Sequence, residues 1–234
     1  MRIWLHESKG NESGWNAWSL DYLGFATWAP SKEGVLNCIQ GKFEEYIQWL
    51  EGHLGEKVTI DTWSGLEVAE EISGDEVAFK ADLDPADSEE IKHCLRLLGF
   101  SRSDLLSAVE DLPDAALDWN PPYANFAAWA SWRTIRQVLK HIAATETGYY
   151  LSNIGYQDAA KLPLADLHWR EQLAVSRMET ERLLGDLLAS QDRARAVMGE
   201  EVWSVRKVLR RLVRHELLHR KSIQRIAHAH ADFG

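Results

Sequence analysis

The sequence predicts an α+β N-terminal domain followed by an all-α four-helix bundle, and three observations carry that prediction. Apolar and polar residues alternate through most of the first eighty positions, interrupted by one run at helical spacing. Beyond residue 82 the apolar spacing changes to threes and fours, and four long runs follow. The composition allows it: 234 residues, 45% hydrophobic and 26% charged, are enough to bury a core and ordinary for a globular chain.

The elements follow in order. Arg2 to His6 and Gly14 to Leu20 alternate as strands with one buried face do. Asp21 to Pro30 carries turn chemistry around Gly24. Ser31 suits an N-cap, and Val35, Leu36, Ile39, Phe43, Tyr46, Ile47 and Leu50 repeat at helical spacing until Gly52 and Gly55. Lys57 to Trp63, Leu66 to Ile72 and Glu76 to Lys80 return to strand-like alternation, so residues 1–81 form a small domain of strands, helix and strands. Within it, Trp15 to Leu20, Tyr22-Leu23-Gly24-Phe25 and Ser31 to Val35 resemble the strand-loop-helix of HicB-like antitoxin domains over about residues 1–55, without the proline usual at the bend. That resemblance speaks to fold and not to toxin neutralisation.

Residues 82–234 read as helices. Pro85 to Ser88 opens a run to about Asp111, with an interruption at Gly99-Phe100. Pro113, Pro121 and Pro122 punctuate a loop to about Arg133. Thr134 and Gln137 make a capping box for a helix through Tyr149. A third helix spans about Ala165 to Ser190, and Ser204 caps a fourth that runs to about His230. Thr134 to Lys140 matches Ser204 to Arg210 in type at all positions but one, a faint repeat that good caps alone explain.

Several functions are excluded early. A formal charge of −10 disfavours nucleic acid as a partner. Met1 to Gly10 lacks the apolar stretch of a secretory signal, and no apolar run approaches the length of a membrane span. Cys38 and Cys94 lie in separate amphipathic segments and read as buried thiols, which suits a cytoplasmic location. Eleven tryptophans read as core and interface packing.

Chemistry concentrates in His215-Glu216-Leu217-Leu218-His219. Val205, Val208, Leu212, His215, His219, Ser222 and Ile226 are spaced three and four apart and share one helix face. Two inward histidines on an aliphatic seam need two sets of partners, and a shared divalent metal satisfies both. The motif invites a zinc-peptidase reading with Glu216 as the catalytic base. No glutamate follows to act as third ligand, Ser222 and Arg225 stand where the extended motif needs glycine and histidine, and His230 is about 16 Å along the same helix. Glu216 remains the candidate catalytic residue, although it lies about 100° round the helix from His215, a position suited to supporting a ligand or facing solvent. The best third ligand is His141, seven residues after the Thr134 cap, level with the pair if the two helices run antiparallel. The set His141, His215 and His219 with an open position is a catalytic arrangement. Arg206, Arg210, Arg211, Arg214, Arg220, Lys221 and Arg225 read mostly as a solvated outer face, with one or two left to hold a substrate carboxylate. Tyr149 and Tyr150 suit either the mouth of a site or the core, and Cys94 beside His93 reads as a core thiol beside an exposed ring.

Leu105 to Trp119, Thr134 to Tyr150 with His141, and Ser204 to Ile226 with His215 and His219 together resemble the DinB-like (DinB/YfiT-like) family over about residues 86–230. The resemblance implies an up-down-down-up bundle and a zinc, nickel or manganese ion on the three histidines. It further implies a transferase of low-molecular-weight thiols or a hydrolase or isomerase of small molecules. Arg220-Lys221-Ser222 departs from the family, which often has glycine there. The leading expectation is a metal-dependent enzyme acting on a small molecule. Two alternatives stand beside it: a non-enzymatic interaction protein whose N-terminal domain binds a partner or forms a homodimer, and a peptidase.

Overall fold

The computed structural model describes residues 1–10, 13–58, 65–123, 130–190 and 193–233, and shows a mixed α+β chain with a helical C-terminal region. Strands β1 (Arg2–Ser8), β2 (Gly14–Trp18), β3 (Ala26–Ala29) and β4 (Glu67–Ser73) form one sheet in the order β3-β2-β1-β4. β1 pairs antiparallel with β2 and parallel with β4, which the chain reaches through helix α1 (Lys32–Leu54). Asp21 to Pro30, expected to be a turn, contains β3, because four residues after the Gly24 bend pair with β2. The strand expected at Lys57 to Trp63 falls largely outside the described residues. Glu76 to Lys80 forms no strand; its polar groups and those of the following single 3-10 turn are spent on the helical region instead.

The alternation of β1 explains the layering. Ile3 and Leu5 point to α1 and meet Val35, Ile39 and Phe43 in the main core. Trp4 points the other way and packs with Trp18 and Phe79. Ser31 caps α1 by accepting from the Gly34 N–H, and Gly55 ends it in the left-handed region at φ 72°.

The helical region contains α2 (Ser88–Ser107), the short α3 (Asp114–Leu117), α4 (Ile135–Thr145), α5 (Trp169–Ala189) and α6 (Val205–Phe233). Asp87 and Glu90 make a capping box for α2, which runs unbroken through Gly99, against the expected interruption. An exposed glycine in mid-helix costs only about 1 kcal/mol against alanine, too little to end a helix packed on one side. Thr134 and Gln137 form the expected capping box, and Ser204 Oγ accepts from the Lys207 N–H at the start of α6. α4 passes at Glu146–Leu151 into a wide π-type turn. A two-stranded hairpin, β5 (Ala196–Met198) and β6 (Val202–Ser204), precedes α6 and was not expected. Its strands are three residues long, too short for any alternation to register.

Side-chain contacts set the directions of these helices. Cys94, Arg102 and Asp104 of α2 meet Leu209, Glu216 and Arg220 of α6 in the same order. His141 and Tyr150 meet α6 in the reverse order, at His219 and His215. Arg177 of α5 reaches the Leu98 carbonyl, and Arg102 reaches that of Leu173, again in reverse. No helix among the described residues is long and apolar enough to cross a membrane. Cys38 and Cys94 are both free thiols, but only Cys94 is buried as expected; Cys38 is half-buried.

The sheet unit is bolted to α6. Asp82 accepts two hydrogen bonds from Arg210, at 2.9 and 2.7 Å, and the Arg210 guanidinium lies over the Trp18 ring at 4.4 Å. Glu76 pairs with Lys207 at 3.0 Å and Arg211 at 2.5 Å. At the bend before β3, Gly24 lies so close to Val213 that a Cβ there would come within 2.3 Å of its side chain. Trp49 of α1 donates to Asp104 of α2 at 2.7 Å. These contacts overturn the expected solvated basic face of α6. Only Lys221 and Arg225 are exposed, because the N-terminal unit covers the side of α6 that water would otherwise reach.

Candidate metal centre

Each histidine of the candidate centre is placed by its own helix. On α6 the seam spacing puts His215 and His219 one turn apart, and Leu212 and Ile226 of the same seam are buried. On α4 the Thr134 cap sets the phase that turns His141 toward α6. The opposed directions of α4 and α6 bring all three rings to one level. Their centroids are 4.4 to 5.0 Å apart, and one nitrogen from each ring lies within 4.8 Å of the others. His141 Nε2 and His215 Nε2 are 3.1 Å apart. Two imidazoles on one zinc ion, each at about 2.0–2.1 Å, have nitrogens separated by roughly 3 Å.

The surroundings hold these rings neutral. Burial pulls the pKa of His141 down to about 4. Burial, with His141 and Arg214 nearby, pulls His219 down to about 3, and burial beside two other imidazoles takes His215 well below its ordinary value. Among the described residues no carboxylate contributes to these shifts. Neutral imidazole is the ligand form. His219 Nδ1 is buried without a hydrogen-bond partner among the described residues. His141 Nδ1 lies 3.2 Å from Thr145 Oγ1, so an Nδ1–H donated to that hydroxyl leaves the Nε2 lone pair directed at His215. Three converging neutral imidazoles, one with an unsatisfied nitrogen, are a donor set that fits a borderline divalent ion.

Aromatic rings frame the cluster. Trp132 stacks on His141 with centroids 3.5 Å apart, and Tyr150 meets His215 edge-on at 5.4 Å. The histidines line a cavity of about 1110 Å³ whose opposite wall comes from the N-terminal unit, including His6, Trp18, Phe25 and Trp28. Tyr149 and Tyr150 line it from the helical side. That volume is sufficient for a small organic molecule beside the rings.

Glu216 is placed elsewhere. Its side chain is 2% exposed and does not line the cavity. It accepts from Arg102 Nε at 2.5 Å, Arg177 Nη2 at 2.7 Å and Ser101 Oγ at 2.7 Å. Glu146 completes the group, accepting from both arginines and from Ser176 Oγ. Burial alone would raise the pKa of Glu216, but the two guanidiniums prevail and lower it. The position 100° from His215 is as expected; solvent exposure is not, because α2 and α5 close over that side. Cys94 is buried against the Leu209 carbonyl, its thiol pushed up to about 12 by burial, and neither it nor His93 lines the cavity.

Some of this was beyond the sequence. Arg102, Arg177 and Glu146 stand on three different segments with no shared spacing. Trp132 sits outside any helix, where periodicity says nothing. Arg211 was findable, because it lies four residues before His215 on the same face. A comparison with protein families matches residues 97–223 to the model described as the DinB superfamily. A search of curated proteins found no match. The family match leaves residues 1–55 outside it, so the HicB-like resemblance draws no support from it.

Proposed function

The chain belongs to the DinB superfamily, and on that premise we propose that it is a divalent-metal-dependent enzyme acting on a small molecule, a thiol S-transferase or hydrolase. The observation that carries this reading is that one nitrogen from each of His141, His215 and His219 lies within 4.8 Å of the others in the lining of the cavity. In this reading α2, α4, α5 and α6 are an up-down-down-up four-helix bundle spanning 82–234, and residues 1–81 are a second unit that walls the cavity.

His141, His215 and His219 would hold the ion, of zinc, nickel or manganese type. Such an ion supplies Lewis acidity, lowering the pKa of a water or thiol beside it. The remaining work belongs to this chain. Thr145 fixes the ring of His141, Trp132 and Tyr150 shield the imidazoles, and the N-terminal wall restricts access to molecules of limited size. Glu216, held by two arginines outside the cavity, has no proton-transfer role in this scheme, and the peptidase reading is set aside with it.

Metal analysis of purified protein tests the proposal. About one divalent ion per chain is expected, lost in His141→Ala, His215→Ala and His219→Ala. Stoichiometric metal persisting in His141→Ala would overturn the triad. A screen with low-molecular-weight thiols and electrophilic acceptors, run with and without chelator, then tests the transferase reading.

A further inference from the structure

We propose that Arg214 is the anion-binding subsite of this cavity, so that the small molecule handled beside the histidines carries a terminal oxyanion, a carboxylate or a phosphate. The proposal deepens the small-molecule reading above and rests on it for the molecule's identity, though not for the existence of the subsite.

Among the described residues three carboxylates line the cavity, and each is engaged elsewhere. Glu45 pairs with Lys42 and Lys221, Asp75 accepts from the Lys9 and Gly10 N–H groups, and Glu76 pairs with Lys207 and Arg211. The other cavity arginines are likewise occupied. Arg211 is held by Glu76, Arg220 by Asp104, Arg133 by Asn120 and the Pro121 carbonyl, and Arg225 lies over the Tyr123 ring. Arg214 lines the same cavity and has no hydrogen bond, ion pair or ring partner among the described residues.

An unpaired guanidinium below the surface is costly, and most buried charges are paired. An incoming oxyanion offsets that cost. The planar fork of arginine suits the two oxygens of a carboxylate or phosphate, and such bonds strengthen away from bulk water. Position matters too. Arg214 is the chain neighbour of His215 and lines the same cavity as all three rings. A ligand anchored there is held beside the imidazoles, with its uncharged end free to meet them. An anionic ligand would supply the counter-charge that Arg214 lacks among the described residues, even in a chain of net charge −10.

The test uses the full chain in two arms. In the first, metal-free protein in a buffer without oxyanions is titrated calorimetrically with acetate and with inorganic phosphate. Saturable binding of at least one is expected, about tenfold or more weaker in Arg214→Gln, as loss of a charge-assisted bond pair implies, and unchanged in Arg182→Gln on the exposed face of α5. The better-bound anion identifies the group. Arg214→Lys, which keeps charge and loses the fork, is expected to weaken binding several-fold and decides the matter should Arg214→Gln not fold. Binding of neither anion, or equal binding in the Arg214 variants, overturns the proposal.

In the second arm, cobalt(II)-loaded protein is offered 3-mercaptopropionate and 3-mercaptopropionamide, followed by visible absorption. The acid is expected to bind more tightly, and Arg214→Gln to erase the difference. An equal affinity for acid and amide in the unaltered protein overturns the proposal. Should cobalt not load, the metal reading fails, and the first arm alone decides the subsite.

Discussion

Glu216 and His215 are adjacent residues on α6, yet they belong to two buried polar groups built on opposite terms. The Arg102–Glu216–Arg177–Glu146 quartet is closed. Each carboxylate takes bonds from both arginines and from a serine, and the arginines use their spare N–H groups on the Leu173 and Leu98 carbonyls. The histidine cluster is open. Its rings carry no counter-charge, one nitrogen is orphaned, and a large cavity stands beside it. A buried polar group that satisfies itself serves the fold, whereas one that leaves donor atoms unsatisfied at a cavity is prepared for something not yet bound.

That contrast can be broken by experiment. The largest effect is expected from Glu216→Ala, which leaves two buried guanidiniums without their shared acceptor. A loss of about 3–5 kcal/mol is expected by urea denaturation, with the histidines untouched. Next is metal removal. A chelator is expected to lower the stability of the metal-loaded protein by about 4 kcal/mol if the ion is present at a thousandfold excess over its Kd, and to leave His219→Ala unaffected. His219→Ala itself, measured metal-free, is expected to cost less than Glu216→Ala, about 1–2 kcal/mol, since it loses ring contacts but no hydrogen bond among the described residues. Should it cost as much as Glu216→Ala, the open cluster is a structural element after all. A subtler change is Thr145→Val, which releases the ring of His141 and should weaken metal affinity about 10–100-fold with little change in unfolding.

The smallest effect concerns Glu76, which fastens the N-terminal wall to α6. Burial opposes its ionisation, but Arg211 and Lys207 prevail and lower its pKa below 4.5. An acid with a depressed pKa stabilises the fold above its unfolded value, and that contribution disappears as pH falls through the folded value. Melting temperature followed from pH 5 downward should therefore fall less steeply in Glu76→Gln than in the unaltered chain.

The sequence reveals these two groups unequally. His215 and His219 announce themselves by a spacing of four on an aliphatic seam, and His141 follows from its distance to a capping threonine. Such marks are local, and helical geometry converts them into positions. The quartet has none, because Arg102, Glu146, Arg177 and Glu216 meet only after α2, α4, α5 and α6 are packed. The same holds for the cavity. Nothing in the alternation of β1 or the turn at Gly24 says that the sheet unit lies against α6. That docking decides whether Arg210 and Arg214 face solvent or a wall. Periodicity reports one element against an unspecified neighbour, so the mixed α+β character, the helical C-terminal region and the approach of the three histidines were legible and the cavity was not.

The π-type turn at Glu146–Leu151 carries one further consequence. Such a turn holds an extra residue relative to α-helical spacing, so it shifts the phase of everything that follows on the same segment. His141 lies before the turn and Tyr150 near its end, and both face His215. A substitution that tightened this turn to α-helical spacing without removing a residue would swing Tyr150 by about 100° away from the rings, leaving the three histidines in place. The cover over the imidazoles can therefore change in one genetic step without touching the ligand set, a short path by which such a scaffold could take on different substrates.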